Sequence, residues 1–150
     1  MAQLAKDGEV DSGSLTSPLM ESLVTNLVTS GDARTHVERL RASLRKRATL
    51  RADAIQAEQP AGSPPIVRAA SAGYFLWVDL RGLDANALRE RCAASLGVSF
   101  LAGSRCALDA GVGTSHARVS FAFLEEDDLV EAGTRLGRAI AAGAGGSGSE

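Results

Sequence analysis

The sequence predicts an α+β fold: a small, mostly antiparallel sheet with helices on one face, preceded by a long helix of the kind that links domains. Short runs rich in aromatic and β-branched residues lie at 73–80, 98–101 and 117–123. Helical patterns follow the first and the last of these runs. The resulting order, β-α-β-β-α, is typical of an α+β layer. A length of 150 residues and an apolar share of 45% fit a domain with its own core.

Residues 1–58 are predicted to form a loop, a helix and a long basic helix. Residues 1–16 are polar and rich in turn formers. A helix begins at Pro18, which suits a first helical position, and ends at Gly31. Its apolar pairs recur every four residues and predict one buried stripe, made of Leu19 and Met20, Leu23 and Val24, and Leu27 and Val28.

The long helix, over 32–58, combines a thin apolar stripe with seven cations. These are Arg34, Arg39, Arg41, Arg45, Lys46, Arg47 and Arg51. A basic face can follow the phosphates of a nucleic acid. However, this helix has no aromatic residue for stacking, and the net charge of the chain is −2. We therefore favour a solvated helix face or an interface with a missing partner, and we expect no nucleic-acid binding.

A linker and a compact domain follow the long helix. Proline, glycine and serine at 59–72 predict the linker, and 73–142 is expected to form the small α+β domain. Asp84 is placed to cap its first helix, whose stripe contains Leu88, Cys92 and Leu96. The final helix, over 125–142, has a core face made of Leu129, Gly133, Leu136 and Ile140. Residues 143–150 are predicted to be a disordered tail.

Arg118 is the candidate site residue, because it lies on an otherwise apolar strand. Alternation places Val119, Phe121 and Phe123 on one face of this strand, and Arg118, Ser120 and Ala122 on the other. A guanidinium is costly to bury unpaired, so this arginine is expected to meet a carboxylate or a phosphate. The anion could be a neighbouring Asp or Glu, or it could be a ligand.

Several classes of function are not supported by the sequence. Cys92 and Cys106 are too few for a disulfide framework and lack metal-ligand spacing, as expected of thiols in a reducing compartment. His36 and His116 are far apart, so we expect no metal site. The chain has no apolar run long enough to span a membrane and no signal-peptide pattern, which predicts a cytoplasmic protein without membrane contacts.

Six stretches of the chain carry recognisable motifs in a fixed order. Residues 73–80 (GYFLWVDL) resemble a strand of the pattern G-G-Y-F-x-W-x-x-L, and 117–122 (ARVSFA) resemble L-R-L-S-F-A. The other four lie at 11–19, 39–53, 97–103 and 131–136, the last of the pattern E-x-G-x-x-R-L. In this order the motifs resemble the C-terminal part of the class I/II aminotransferases, fold-type I enzymes that use pyridoxal phosphate.

The resemblance implies a role for Arg118, whose counterpart in the family grips the α-carboxylate of the substrate. It implies a whole enzyme that exchanges an amino group between an amino acid and a 2-oxo acid, acts as a homodimer and includes a large domain missing here. The chain has only two lysines, Lys6 and Lys46, and neither fits the family's Schiff-base lysine. We therefore expect this chain alone to be inactive. The alternative is a non-catalytic α+β module, either small-molecule-binding or regulatory, with Arg118 as its anion anchor.

Overall fold

A computed structural model describes residues 17–68, 70–109 and 111–145 of the chain. It divides into two compact units, Met1–Ala42 and Ser43–Glu150. The predicted loop over 1–16 and residues 146–150 of the predicted tail lie outside the described residues. Residues 143–145, which also belong to the predicted tail, are helical, because the last helix continues to Gly145.

The first unit contains helix α1 (Pro18–Ser30) and the beginning of helix α2 (Asp32–Ala57). Gly31 ends α1 with a φ of 85°, and its N–H donates to Val28 O at 3.3 Å. The prediction of a buried stripe on α1 is wrong for the described residues, because Leu19, Leu23 and the other four apolar residues are at least 50% exposed. The amphipathic pattern is present, but no described residue covers it.

The second unit contains a four-stranded antiparallel sheet, which confirms the predicted α+β class. Its strands are β1 (Val67–Arg68), β2 (Phe75–Asp79), β3 (Leu101–Ala102) and β4 (His116–Ser120), in the order β1-β2-β4-β3. Strand β1 lies within the segment predicted as a linker, where its two residues are too few to give a periodic signal. The other strands are shorter than predicted, and Phe123 lies beyond β4 and is exposed rather than packed beside Val119.

Helices cover one face of this sheet, as predicted. Helix α3 (Ala85–Leu96) follows β2, a short 3₁₀ helix (Gly103–Cys106) follows β3, and helix α4 (Glu126–Gly145) follows β4. Asp84 caps α3, since its carboxylate accepts from Ala87 N–H at 2.8 Å. The core joins the inner face of the sheet to the helices through Ile55, Leu76, Val78, Leu80, Leu88, Cys92, Ala117, Val119, Phe121, Leu129, Leu136 and Ile140.

The second unit also contains the end of α2, and its backbone comes very close to α4. A Cβ on Gly137 would lie 2.6 Å from Ile55 O, and one on Gly133 would lie 2.8 Å from Ala54 Cβ. Real side chains do not tolerate such distances, so the two glycines permit this approach. The contact attaches the C-terminal half of the long helix to the core.

Candidate functional site

The open face of the sheet, opposite the helices, carries several polar and aromatic side chains. Trp77 of β2 is paired with Arg118 of β4 on one side and with Arg68 of β1 on the other. Because side chains alternate along a strand, the residues two positions away share this face: Phe75 opposite Ser120, and Asp79 opposite His116. The face therefore gathers cations, aromatic rings and one carboxylate on adjacent strands.

Arg118 is held on this face by its neighbours in β4. Ala117 and Val119 are buried on the inner face, at 0% and 1% exposure, so the strand cannot turn over without exposing them. The guanidinium carbon of Arg118 lies 4.1 Å from the centroid of the Phe75 ring. This is a cation–π contact, and it restricts a side chain that is otherwise flexible.

The guanidinium of Arg118 has no anionic partner within the described part of the chain. Its Nε is buried and makes no hydrogen bond, and no ion pair reaches it from residues 17–68, 70–109 or 111–145. Of the acidic residues that follow β4, Glu126 pairs with Lys46 at 2.6 Å instead. A buried donor without a partner costs free energy, and a planar anion that can take two parallel N–H bonds would remove that cost.

A second group of side chains lies at the other end of the open face. The rings of His116 and Trp77 stack with their centroids 5.5 Å apart and their planes inclined by 18°. They help to line a cleft of about 330 Å³, together with Pro65, Ile66, Val67, Arg68 and Asp79. His116 Nδ1 is buried and has no hydrogen-bond partner among the described residues. Sequence patterns do not predict this group, because its members meet only through strand pairing.

Three of the seven cations of the long helix, Lys46, Arg47 and Arg51, bind within the second unit, so the basic face is solvated only in part. Arg47 donates to Phe121 O at 3.0 Å and also to the carbonyl oxygens of Ala122 and Leu124. Arg51 is buried and donates to Leu129 O at 3.0 Å. Burial lowers the pKa of Arg51 to about 10, so it remains charged at neutral pH. These cations hold the turn between β4 and α4.

Metal and membrane chemistry find no support in the described residues. No three His, Cys, Asp or Glu side chains of the described ranges come together as metal ligands. None of the described helices combines the length and apolarity that crossing a membrane requires. Cys92 is buried and Cys106 is exposed, and both are free thiols. Burial raises the pKa of the Cys92 thiol, an effect that the nearby charge of Arg91 partly opposes.

Comparison with known proteins gives one family. The sequence model of the family described as aminotransferase class I and II matches residues 8–136. An uncharacterized protein of Saccharomyces cerevisiae is 30% identical over 131 residues, a match that covers 85% of this chain and 29% of the yeast protein.

Solved structures give the same result. One similar structure is the α-aminoadipate aminotransferase LysN from Thermus thermophilus, in complex with N-(5'-phosphopyridoxyl)-L-leucine. Its TM-score is 0.63 and its identity 32%, and the match covers 79% of this chain and 29% of the LysN chain. The kynurenine aminotransferase of Pyrococcus horikoshii has a TM-score of 0.66 and 26% identity, and the match covers 76% of this chain and 28% of that enzyme's chain. The aromatic aminotransferase of the same organism, with a TM-score of 0.60 and 21% identity over 73% and 27%, shows the fold alone. This chain spans less than a third of the length of each of these relatives.

Proposed function

This chain belongs to the class I and II aminotransferase family, and we propose that it forms the C-terminal part of a pyridoxal-phosphate-dependent aminotransferase in which Arg118 binds the α-carboxylate of the substrate. The observation that carries this proposal is the state of Arg118. Its guanidinium rests on Phe75 and faces away from the core, and its Nε is buried without a partner among the described residues.

A carboxylate suits this arginine for geometric reasons. The planar guanidinium offers paired N–H donors that match both oxygens of a carboxylate, so the bound acid is oriented as well as held. Orientation matters in an amino-group transfer, because the bond to be broken at the α-carbon must be fixed relative to the reacting groups. The contact with Phe75 supports this role, because a guanidinium that is already restrained loses less conformational entropy when it binds a ligand.

The substrate class proposed here is an amino acid and its 2-oxo acid partner. Two similar proteins support it by name, one an α-aminoadipate aminotransferase and the other a kynurenine aminotransferase whose structure contains PMP and kynurenine. An α-carboxylate is common to every amino acid and 2-oxo acid. Arg118 therefore accounts for this shared group and leaves the choice of side chain to other residues.

The described residues do not fit a complete pyridoxal phosphate site. The cofactor supplies an electron sink for chemistry at the α-carbon and needs a lysine to form its Schiff base. Lys46 is exposed and paired with Glu126 at 2.6 Å, and Lys6 lies outside the described residues. We therefore derive no chemical step from this chain and propose that alone it does not transaminate. A large domain, in a cytoplasmic homodimer, would supply the cofactor site.

The proposal is tested by carboxylate binding to the full chain. The probe is 4-methyl-2-oxopentanoate, which has a carboxylate but no ammonium group, titrated by isothermal calorimetry. We expect Arg118→Ala to weaken binding by about tenfold to a hundredfold, the value of a charge-assisted hydrogen-bonded pair. Arg118→Lys should recover part of the loss. The control is Arg105→Ala, which removes an exposed arginine of the same unit.

Two results would overturn parts of the proposal. Equal binding of the oxo acid by wild type and Arg118→Ala would show that Arg118 does not hold the carboxylate. Amino-group transfer by the full chain with added pyridoxal phosphate, L-leucine and 2-oxoglutarate would show that the chain is not inactive alone. Arg118-dependent binding to the chain alone is also what the alternative, a non-catalytic binding module, requires. Activity restored by adding a cofactor-binding large domain of the family would separate the two.

A further inference from the structure

We propose that the cleft at the β1 end of the open face is a second binding site, specific for a zwitterionic α-amino acid with an apolar side chain. The cleft is separate from Arg118 and does not depend on the proposed function. Its walls come from three strands and the segment before β1, all within the second unit. Its volume of about 330 Å³ falls within the range of small-ligand pockets.

Two opposite charges line this cleft without meeting. Arg68 pairs with Trp77 in the register, so Asp79, two residues further along β2, lies on the diagonal from Arg68. Diagonal neighbours on one face are about 7 Å apart at their β-carbons. Asp79 Oδ1 accepts from Arg81 N–H at 2.7 Å, and no ion pair joins Asp79 to Arg68 within the described ranges. A cation and an anion therefore share one surface without forming an ion pair.

An α-amino acid matches this pair of charges. Its ammonium and carboxylate are attached to the same carbon, so it can present one to Asp79 and the other to Arg68 through charge-assisted hydrogen bonds of about 2.8 Å each. A simple carboxylic acid or a simple amine would satisfy only one of the two residues and leave the other without a partner. The charges thus select for the zwitterion.

The remaining walls provide an apolar surface for the side chain. Trp77 contributes an indole ring and Pro65 its pyrrolidine ring, while Ile66 and Val67 line the cleft and also pack into the core. The indole is confined, because a Cβ on Gly103 would lie 2.9 Å from Trp77 Cη2 and because the ring of His116 stacks on it. A rigid aromatic wall favours an apolar or aromatic side chain at small entropic cost.

Trp77 is the only tryptophan of the chain and lines the cleft, so its emission should respond to binding there. It is also the register partner of Arg118, so variants are needed to separate the two sites. The experiment titrates the full chain with L-phenylalanine under selective excitation of tryptophan. An amino acid of this size in an open cleft is expected to bind with a dissociation constant of about 1 mM. Phenylpropionate, which lacks the ammonium, and phenethylamine, which lacks the carboxylate, should each bind about tenfold more weakly or worse.

Two variants locate the binding. Asp79→Asn keeps a side-chain oxygen to accept from Arg81 N–H, so the fold is preserved while the charge is lost. Arg68→Ala removes an exposed side chain from an edge strand. Each should weaken L-phenylalanine binding by about tenfold, whereas Arg105→Ala, which removes an exposed arginine that does not line the cleft, should leave it within about twofold of wild type.

The proposal is overturned if L-phenylalanine produces no saturable change, or if phenylpropionate and phenethylamine bind as well as the zwitterion. It is also overturned if Arg118→Ala abolishes the response while Asp79→Asn does not. That last result would place the amino acid at Arg118 and support the function proposed above. Loss of oxo-acid binding in Arg118→Ala together with retained L-phenylalanine binding would support both sites independently.

Discussion

Phe75→Leu is expected to weaken carboxylate binding at Arg118 while leaving the fold intact. The Phe75 ring lies 4.1 Å from the guanidinium carbon and is 41% exposed. A cation–π contact contributes roughly 0.5–1 kcal/mol when exposed and about 2 kcal/mol when desolvated, so a value of about 1 kcal/mol applies to this half-covered ring. If the contact preorganises Arg118 for its ligand, its loss raises the dissociation constant by about fivefold.

The stability of the protein should change much less than its affinity. Phe75 lies on the open face, whereas its neighbour Leu76 is 1% exposed and belongs to the core. Leucine retains an apolar side chain on the strand, so the free energy of unfolding should fall by no more than about 1 kcal/mol. Urea unfolding measures the free energy of unfolding, and isothermal calorimetry with 4-methyl-2-oxopentanoate measures the affinity.

Phe75→Tyr is the matched control, because it retains an aromatic face beneath the guanidinium. Its dissociation constant should stay within about twofold of wild type. A positioning role for Phe75 is refuted if Phe75→Leu binds the oxo acid as tightly as wild type while Arg118→Ala does not bind. In that case the ring would be a neighbour of Arg118 that does not position it. Equal weakening of oxo-acid binding by Phe75→Tyr and Phe75→Leu would also refute this role.

The remaining predictions concern the packing of the helices and the two thiols. Gly137→Ala should lower the free energy of unfolding by about 1–3 kcal/mol, because its Cβ would lie 2.6 Å from Ile55 O. Gly145→Ala in the same helix meets nothing within 4 Å and should be neutral or slightly stabilising in urea unfolding; equal losses would contradict the packing argument. Iodoacetamide should modify Cys106 well before Cys92, which is buried with a raised pKa, as mass spectrometry of partly labelled protein would reveal. The pKa of Cys92 is higher in the folded than in the unfolded protein, so the thiol ionises first in the unfolded state. The free energy of unfolding is therefore unaffected by this group at neutral pH and falls as the pH rises past the ordinary pKa of a thiol. Cys92→Ala should therefore flatten the fall in urea midpoint above about pH 9, and an unchanged slope would refute this.

The features predicted correctly from the sequence depend on local periodicity. Leu129, Leu136 and Ile140 are all buried on α4, because a period of 3.6 residues defines a core face wherever the helix packs. The cap at Asp84 is equally local and forms as predicted. The same rule fails for the stripe of α1 within the described residues, since a pattern specifies which face is apolar but not whether another segment packs against it.

The features that the sequence did not reveal depend on pairing between distant residues. Alternation places Phe75 and Trp77 on one face of β2, and Arg118 on one face of its own strand. Only the register of β2 with β4 brings the Phe75 ring under the guanidinium and the His116 ring onto Trp77. The internal roles of Arg47 and Arg51 are non-local in the same way, since their acceptors follow more than 70 residues later.

Both proposed sites therefore depend on one property of the sheet, its register. A shift of β4 by a single residue would move Arg118 to the inner face and Ala117 to the open one. The inner face is closed by Val78 and Ala117, which are completely buried, so the shift would place a guanidinium in the core without a partner. That penalty fixes the register, and the register in turn fixes the spacing of Arg118, Trp77 and Arg68 across the open face. The helices bury the inner face of the sheet, and this burial holds the charged side chains of the outer face in place for their ligands.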